Sequence, residues 1–219
     1  MALSLRPAHN PRRAYGFVGV VVSPTDLSAS VFCWYVDRRD GRETWAVRKV
    51  ISIPAERAHR EQLPPVLREF GVVPPLVTDV CLSVDDRWLY VSCWGTGELR
   101  RYDVSDPLLP VLTGAVRLGG VVRGTPHPGA PREPLTGAPQ MVEASRDGKR
   151  IYVTNSLLSP WDAQFYPEGL HGWMAKLDAR PDGSLAADPR FLVRFPDGVR
   201  AHQVRLEGGD ASSDSFCFS

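Results

Sequence analysis

Lysine is almost missing from this chain: of 26 basic residues only Lys49, Lys149 and Lys176 are lysine. The arginines that replace it are scattered among 25 acidic residues, and the net charge is +1. A balance of this kind offers no basic face for nucleic acid or for an anionic membrane surface. Long apolar runs are absent too. No window approaches the roughly 18 unbroken apolar residues of a membrane span. The opening "MALSLRPAHNPRR" lacks the apolar core of about 7–15 residues that defines a secretory signal. The expectation is therefore no nucleic acid, no membrane and a cytoplasmic location, an export signal in a preceding segment aside. The four cysteines, Cys33, Cys81, Cys93 and Cys217, form no CxxC or Cys/His metal spacing. Cys81 and Cys93 fall in or beside expected strands and read as buried free thiols. Helical periodicity is the last absence. Twenty prolines and nineteen glycines punctuate the chain, and Pro64-Pro65 interrupts the one modest candidate, "AERAHREQLPPVLREF".

What is present is alternation, and it repeats. "SVDDRWLYVS", from Ser83, returns 62 positions later as "SRDGKRIYVT", from Ser145. Each is a hairpin: polar turn residues, then alternating apolar side chains ending in Tyr-Val. A further step of 62 from Thr78 and Gln140 reaches His202, and a step backward reaches Gly16. Each position opens a stretch with strand-like alternation, so the chain reads as a repeat architecture.

Within the middle repeat four strands can be counted: "TDVCLS", "RWLYVSCW", "ELRRYDVSD" and "PVLTGAVRL". Four short antiparallel strands joined by tight turns form the blade of a β-propeller. The expected fold is all-β, a partial propeller with blades at about 14–75, 76–137 and 138–200, then a terminal strand and tail over 201–219. The 62-residue interval exceeds the usual blade length, so insertions are expected. "VVRGTPHPGAPREPLTGAP" and "LLSPWDAQFYPEGLHG" supply them. Trp161-Asp162 lies in the second of these rather than at a strand end, so it is not a WD-repeat signature. Three blades and one strand cannot close a ring. The expectation is a fragment or a self-associating chain with open blade faces.

"VTDVCLSVDDRWLYVSCWGTGELRRYDVSDPLLPVLTGAVRLGG", "GAPQMVEASRDGKRIYVTNSLLSPWDAQFYPEG" and "GGDASSDSF" closely resemble the selenium-binding protein family, which includes copper-dependent methanethiol oxidases. The likeness covers nearly the whole chain but only about the C-terminal half of the family's seven-bladed propeller. It implies an oxidase that converts methanethiol, oxygen and water to formaldehyde, hydrogen sulfide and hydrogen peroxide. It also implies histidine-bound copper and selenium binding through a cysteine, most of those residues belonging to the half not matched here. Two family histidines have counterparts: His9 in "RPAHNP" and His202 in "RAHQVRLEGGD". Departures occur at Ala211, where the family commonly has cysteine, and at Phe216, where it has Trp; Cys217 is out of register.

His202 opens an expected innermost strand, where propellers gather ligands, and imidazole suits copper. His9 precedes the first expected blade and reads equally as a turn residue. Two imidazoles fall short of the three or more donors of a catalytic copper site. His59, His127 and His171 sit in loops and are expected at the surface. Asp85-Asp86 and Asp147-Gly148 look like paired carboxylates, yet hairpin turns demand these residues for backbone reasons. Arg100 and Arg101 alternate to opposite faces, with Glu98 and Asp103 as expected partners; "GGD" at 208–210 reads as a turn. Three functions stay open: part of a thiol-oxidising enzyme, a non-catalytic propeller module presenting its loops, or a truncated frame without activity of its own.

Overall fold

The computed structural model describes residues 1–39 and 41–202. Among these residues there are three four-stranded antiparallel sheets and one two-stranded sheet. The first sheet runs in simple order through β1 (Ala2–Pro7), β2 (Tyr15–Val20), β3 (Ala29–Arg39) and β4 (Arg42–Ile53). A two-stranded sheet, β5 (Glu56–Arg57) with β6 (Val72–Val73), follows. The second large sheet is β7 (Val77–Leu82), β8 (Trp88–Cys93), β9 (Glu98–Asp103) and β10 (Val111–Arg117). The third is β11 (Val142–Ala144), β12 (Arg150–Thr154), β13 (Trp173–Ala179) and β14 (Leu185–Arg194), with one short helix, α1 (Ser159–Phe165), between β12 and β13.

The middle sheet is buried on both faces, and its alternation explains how. Val80, Leu82, Leu89 and Val91 face one core with Phe17, Val31 and Cys33 of the first sheet. Their neighbours Cys81, Trp88 and Tyr90 face a second core with Ile151, Val153 and Leu177 of the third. A period of two thus sends successive side chains into separate cores. At roughly 1.5–3 kcal/mol for each fully buried aliphatic side chain, this shared sheet cements its two neighbours.

The strands β1, β7 and β11 lie side by side and run in the same direction. Ser4 Oγ donates to Asp79 Oδ1 at 2.6 Å, and the Val142 amide donates to Asp79 Oδ2 at 2.9 Å. Asp79 therefore ties all three strands together from a nearly inaccessible position. Burial pushes its carboxyl pKa up, against the opposing pull of Arg6 and the hydrogen bonds from Ser4, Val142 and Val80.

Both repeat hairpins fold into one turn. Ser83 Oγ donates to Asp85 and accepts from the Trp88 amide; Ser145 Oγ donates to Asp147 and accepts from the Arg150 amide. The fourth position is left-handed in each, Asp86 at φ 58° and Gly148 at φ 67°.

One expectation changes. The first sheet begins at Ala2, and Gly16 lies in its second strand, paired with Pro7, not at the start of an innermost strand. The backward step of 62 misleads because the first repeat has no counterpart of the short Ser83 turn: the loop from Ala8 to Ala14 replaces it. The "AERAHREQLPPVLREF" stretch, which Pro64-Pro65 interrupts, forms no α-helix: it enters through β5 and continues as two 3-10 turns, Arg60–Gln62 and Pro65–Leu67. The expected terminal strand and tail beyond His202 lie outside the described residues, as do Ala211, Phe216, Cys217 and the "GGD" turn. Among the described residues no helix is long and apolar enough to cross a membrane.

Candidate functional site

One end of the inner strands carries a cluster of polar groups. Thr78 Oγ1 donates to the Gln140 carbonyl at 3.1 Å, the Gln140 amide donates to the Thr154 carbonyl at 2.7 Å, and Thr154 Oγ1 donates to the His202 carbonyl at 2.5 Å. Thr78, Gln140 and His202 are thus gathered at one end, as their spacing implies. The His202 ring is exposed, with Nδ1 3.3 Å from the Ser156 carbonyl. Gln140 is almost fully buried, and neither its side-chain oxygen nor its nitrogen has a hydrogen-bond partner. An amide buried this way costs about 1–3 kcal/mol per unsatisfied group, so the polar side chain is held there at the expense of stability. Sequence reading used Gln140 as a register mark and missed its side chain; a glutamine opening an apolar strand was the available signal.

His9 lies at the other end. It follows β1, and its Nδ1 sits 2.8 Å from Asp86 Oδ1 in the turn after β7. The same carboxylate accepts from the His9 amide at 2.8 Å and the Asn10 amide at 3.0 Å. Burial pushes the Asp86 pKa up, but these hydrogen bonds outweigh it and hold the carboxyl below its usual range. The turn position that reads as a backbone requirement is thus also a clasp between the first and second sheets. Since β1 and β7 run parallel, His9 and His202 are separated by an inner strand's length, roughly 20 Å at about 3.3 Å per residue. The two candidate metal residues do not meet. Among the described residues no group of three or more His, Cys, Asp or Glu is placed to hold a metal ion. The copper set implied by the resemblance does not fit within them.

The other expected positions divide. His59 and His171 are exposed, as expected, the latter 3.2 Å from Asp197. His127 is not: its loop folds back over β14 and buries the ring completely, with Nδ1 accepting from the Gly129 amide at 3.1 Å. Burial lowers its pKa. Arg100 pairs with Glu98 at 2.6 Å as expected, but Asp103 faces Arg87 and leaves Arg101 to other partners. Cys33, Cys81 and Cys93 are buried and outside any disulfide. Burial pushes the Cys33 thiol to about 11 and the Cys93 thiol to about 12, so neither is a thiolate near neutrality.

The insertions form a layer over the His202 end. Trp94 packs edge-on against Phe165 and Tyr166, with Leu63 and Leu67 from the stretch between β5 and β6 in the same cluster. Asp162 of the Trp-Asp pair is buried, accepting from Ser156 Oγ and the Leu157 amide and pairing with Arg200 at 2.6 Å. Beside this layer lies a cavity of about 510 Å³ between Glu56, His59, Thr96 and Arg123. Glu56 is bound there by Arg117 and Arg123.

Three packed antiparallel sheets with parallel inner strands and a polar cluster at one end define a propeller-like, all-β protein of partial extent. A family model described as 56kDa selenium binding protein matches residues 1–217, and the chain belongs to that family. It is 42% identical to methanethiol oxidase of Homo sapiens and 39% identical to selenium-binding protein 2 of Mus musculus, over 97% of this chain in each case. It spans 46% of the length of each of those relatives. A hypothetical selenium-binding protein from Sulfolobus tokodaii has a similar solved structure, at 56% identity and TM-score 0.92 over 100% of this chain and 46% of that one.

Proposed function

We propose that the chain is part of a methanethiol-oxidase-like enzyme that converts methanethiol, oxygen and water to formaldehyde, hydrogen sulfide and hydrogen peroxide. The observation that carries this reading is the likeness, at 42% identity over nearly the whole chain, to a protein named methanethiol oxidase. In this reading the three large sheets are blades of a seven-bladed propeller, and the small thiol substrate meets the complete ring. The work is cytoplasmic, with selenium a further ligand of the whole protein in this reading.

The fragment alone is expected to be inactive. Its own residues can orient but not complete a site: Gln140 offers a buried donor and acceptor, and His202 an exposed imidazole. Copper, when bound to the whole protein, would supply the oxygen chemistry, and its remaining donors must come from outside the described residues. The open outer face of the first sheet, with Trp45 69% and Val47 66% exposed, supports self-association of the isolated chain. The lack of a three-donor cluster among the described residues favours a second reading, a non-catalytic propeller module.

The test measures hydrogen peroxide and sulfide released from methanethiol, with copper content, for residues 1–219 and for a full-length version extended to the relatives' length. Negligible release by the short chain, activity in the extended one and its loss on His202→Ala are expected. Inactivity of the extended protein with copper supplied would favour the module reading. Full activity of His202→Ala would remove that residue from the site.

A further inference from the structure

The end of the molecule opposite His202 holds a cleft of about 440 Å³ between the two repeat turns and the turn after β13. Arg101, Arg146, Lys149 and Arg180 line it, against the carboxylates of Asp85 and Asp147. Those carboxylates are already engaged within their turns: Asp85 accepts from Ser83 Oγ and the Arg87 amide, Asp147 from Ser145 Oγ and the Lys149 amide. Arg101, Lys149 and Arg180 thus outnumber the carboxylates of the lining, which are spoken for within their own turns.

Arg101 is the unusual member. It is 2% exposed, and its guanidinium lies 3.8 Å from the Trp88 ring centroid. Its hydrogen bonds go to the carbonyls of Arg180 at 2.6 Å and Ser184 at 3.4 Å, and Nε has no hydrogen-bond partner. A guanidinium placed so deep ordinarily bonds a carboxylate, because a buried charge is costly without one. Asp85 and Asp182 act on Arg101 only through space, and its bonds go to carbonyls. Burial indeed lowers the Arg101 pKa. The planar fork suits an oxygen anion.

We propose that this cleft binds a small anion, a carboxylate or a tetrahedral oxyanion, whose charge is balanced by Arg101 at the base and by Lys149 and Arg180 at the exposed rim. The recognition is electrostatic and hydrogen-bonded, with Trp88 and Pro181 giving an apolar wall. The site lies on the far side of the molecule from Gln140 and His202, so it is independent of the oxidase reading.

The experiment titrates the 219-residue chain with sodium sulfate, sodium phosphate and sodium succinate by calorimetry, each against sodium chloride at equal ionic strength. Saturable binding of at least one anion beyond the chloride control is expected; sulfate or phosphate would point to an oxyanion, succinate to a carboxylate. Arg101 also holds the sheet interface, so the test variant is the rim pair Lys149→Glu with Arg180→Glu, both on exposed side chains. It should weaken binding at least about tenfold, the scale of losing a charge-assisted contact. Heats equal to chloride for all three anions, or unchanged affinity in a folded rim variant, would overturn the proposal.

Discussion

Replacing Asp86 with glycine separates the two roles of one turn residue. The backbone should welcome the change: Asp86 is left-handed at φ 58°, and the equivalent residue in the next sheet is Gly148. Relief of that conformation returns about 1 kcal/mol. Against it stand three hydrogen bonds to the carboxylate, from the His9 amide, the His9 ring and the Asn10 amide. Bonds to a charged group contribute about 1.5–3 kcal/mol each, and they are not additive. A net local loss of about 2–4 kcal/mol is expected. Hydrogen exchange on the His9 and Asn10 amides reads this directly, without requiring a monodisperse chain. At tenfold per 1.4 kcal/mol, exchange there should quicken by roughly 30-fold to several hundredfold. Asp86→Asn, which tolerates the same backbone and keeps one acceptor oxygen, should fall between. The reciprocal Gly148→Asp meets no atom within 4 Å of its new Cβ and should cost only about 1 kcal/mol of backbone strain. Unchanged protection of both amides in Asp86→Gly would mean that the clasp does not hold the first sheet to the second.

Acid should weaken the same clasp. The Asp86 and Asp188 carboxyls are held below their usual range, so the stability they supply is full above about pH 4 and is lost as pH falls through their folded-state values. Urea midpoints taken from pH 7 to pH 2 should decline first below about pH 6.5, where the buried, depressed His127 must charge on unfolding. They should decline again below about pH 4, and Asp188→Asn should flatten part of the second decline. Gly119→Ala should destabilise by about 3 kcal/mol or more, because its Cβ would lie 1.9 Å from the Gly137 carbonyl oxygen at a φ of 66°; a thermal melt within a degree of the parent would contradict this. Gln140→Met removes the unsatisfied amide and should leave the stability of the isolated chain unchanged or raised, while lowering turnover in a full-length protein; equal turnover would deny Gln140 a role. His127→Ala should cost about 2–4 kcal/mol, read by urea denaturation, since the ring fills a buried site rather than a surface loop.

The sequence by itself determined the strands of the second and third sheets. Their alternation is strong because each side chain has one fixed destination, as with Val80 and Cys81 on opposite cores. It also determined the common turn of Ser83 and Ser145, whose geometry needs only residues within five positions, and the family, through motifs that hold their order. Tertiary structure alone decided the rest. The first sheet's start could not be read from a 62-residue step, because β1 is identified by pairing with β2 and by Ser4 reaching Asp79, 75 residues away. The burial of His127 depends on a loop closing over β14, which no local pattern encodes. The separation of His9 from His202 follows from inner strands running parallel: His9 sits by Asp86 in the turn after β7, whereas the His202 carbonyl meets Thr154 at the opposite end. Local chemistry chooses strand and turn; which side chains share an end of the molecule is set by how the sheets stack.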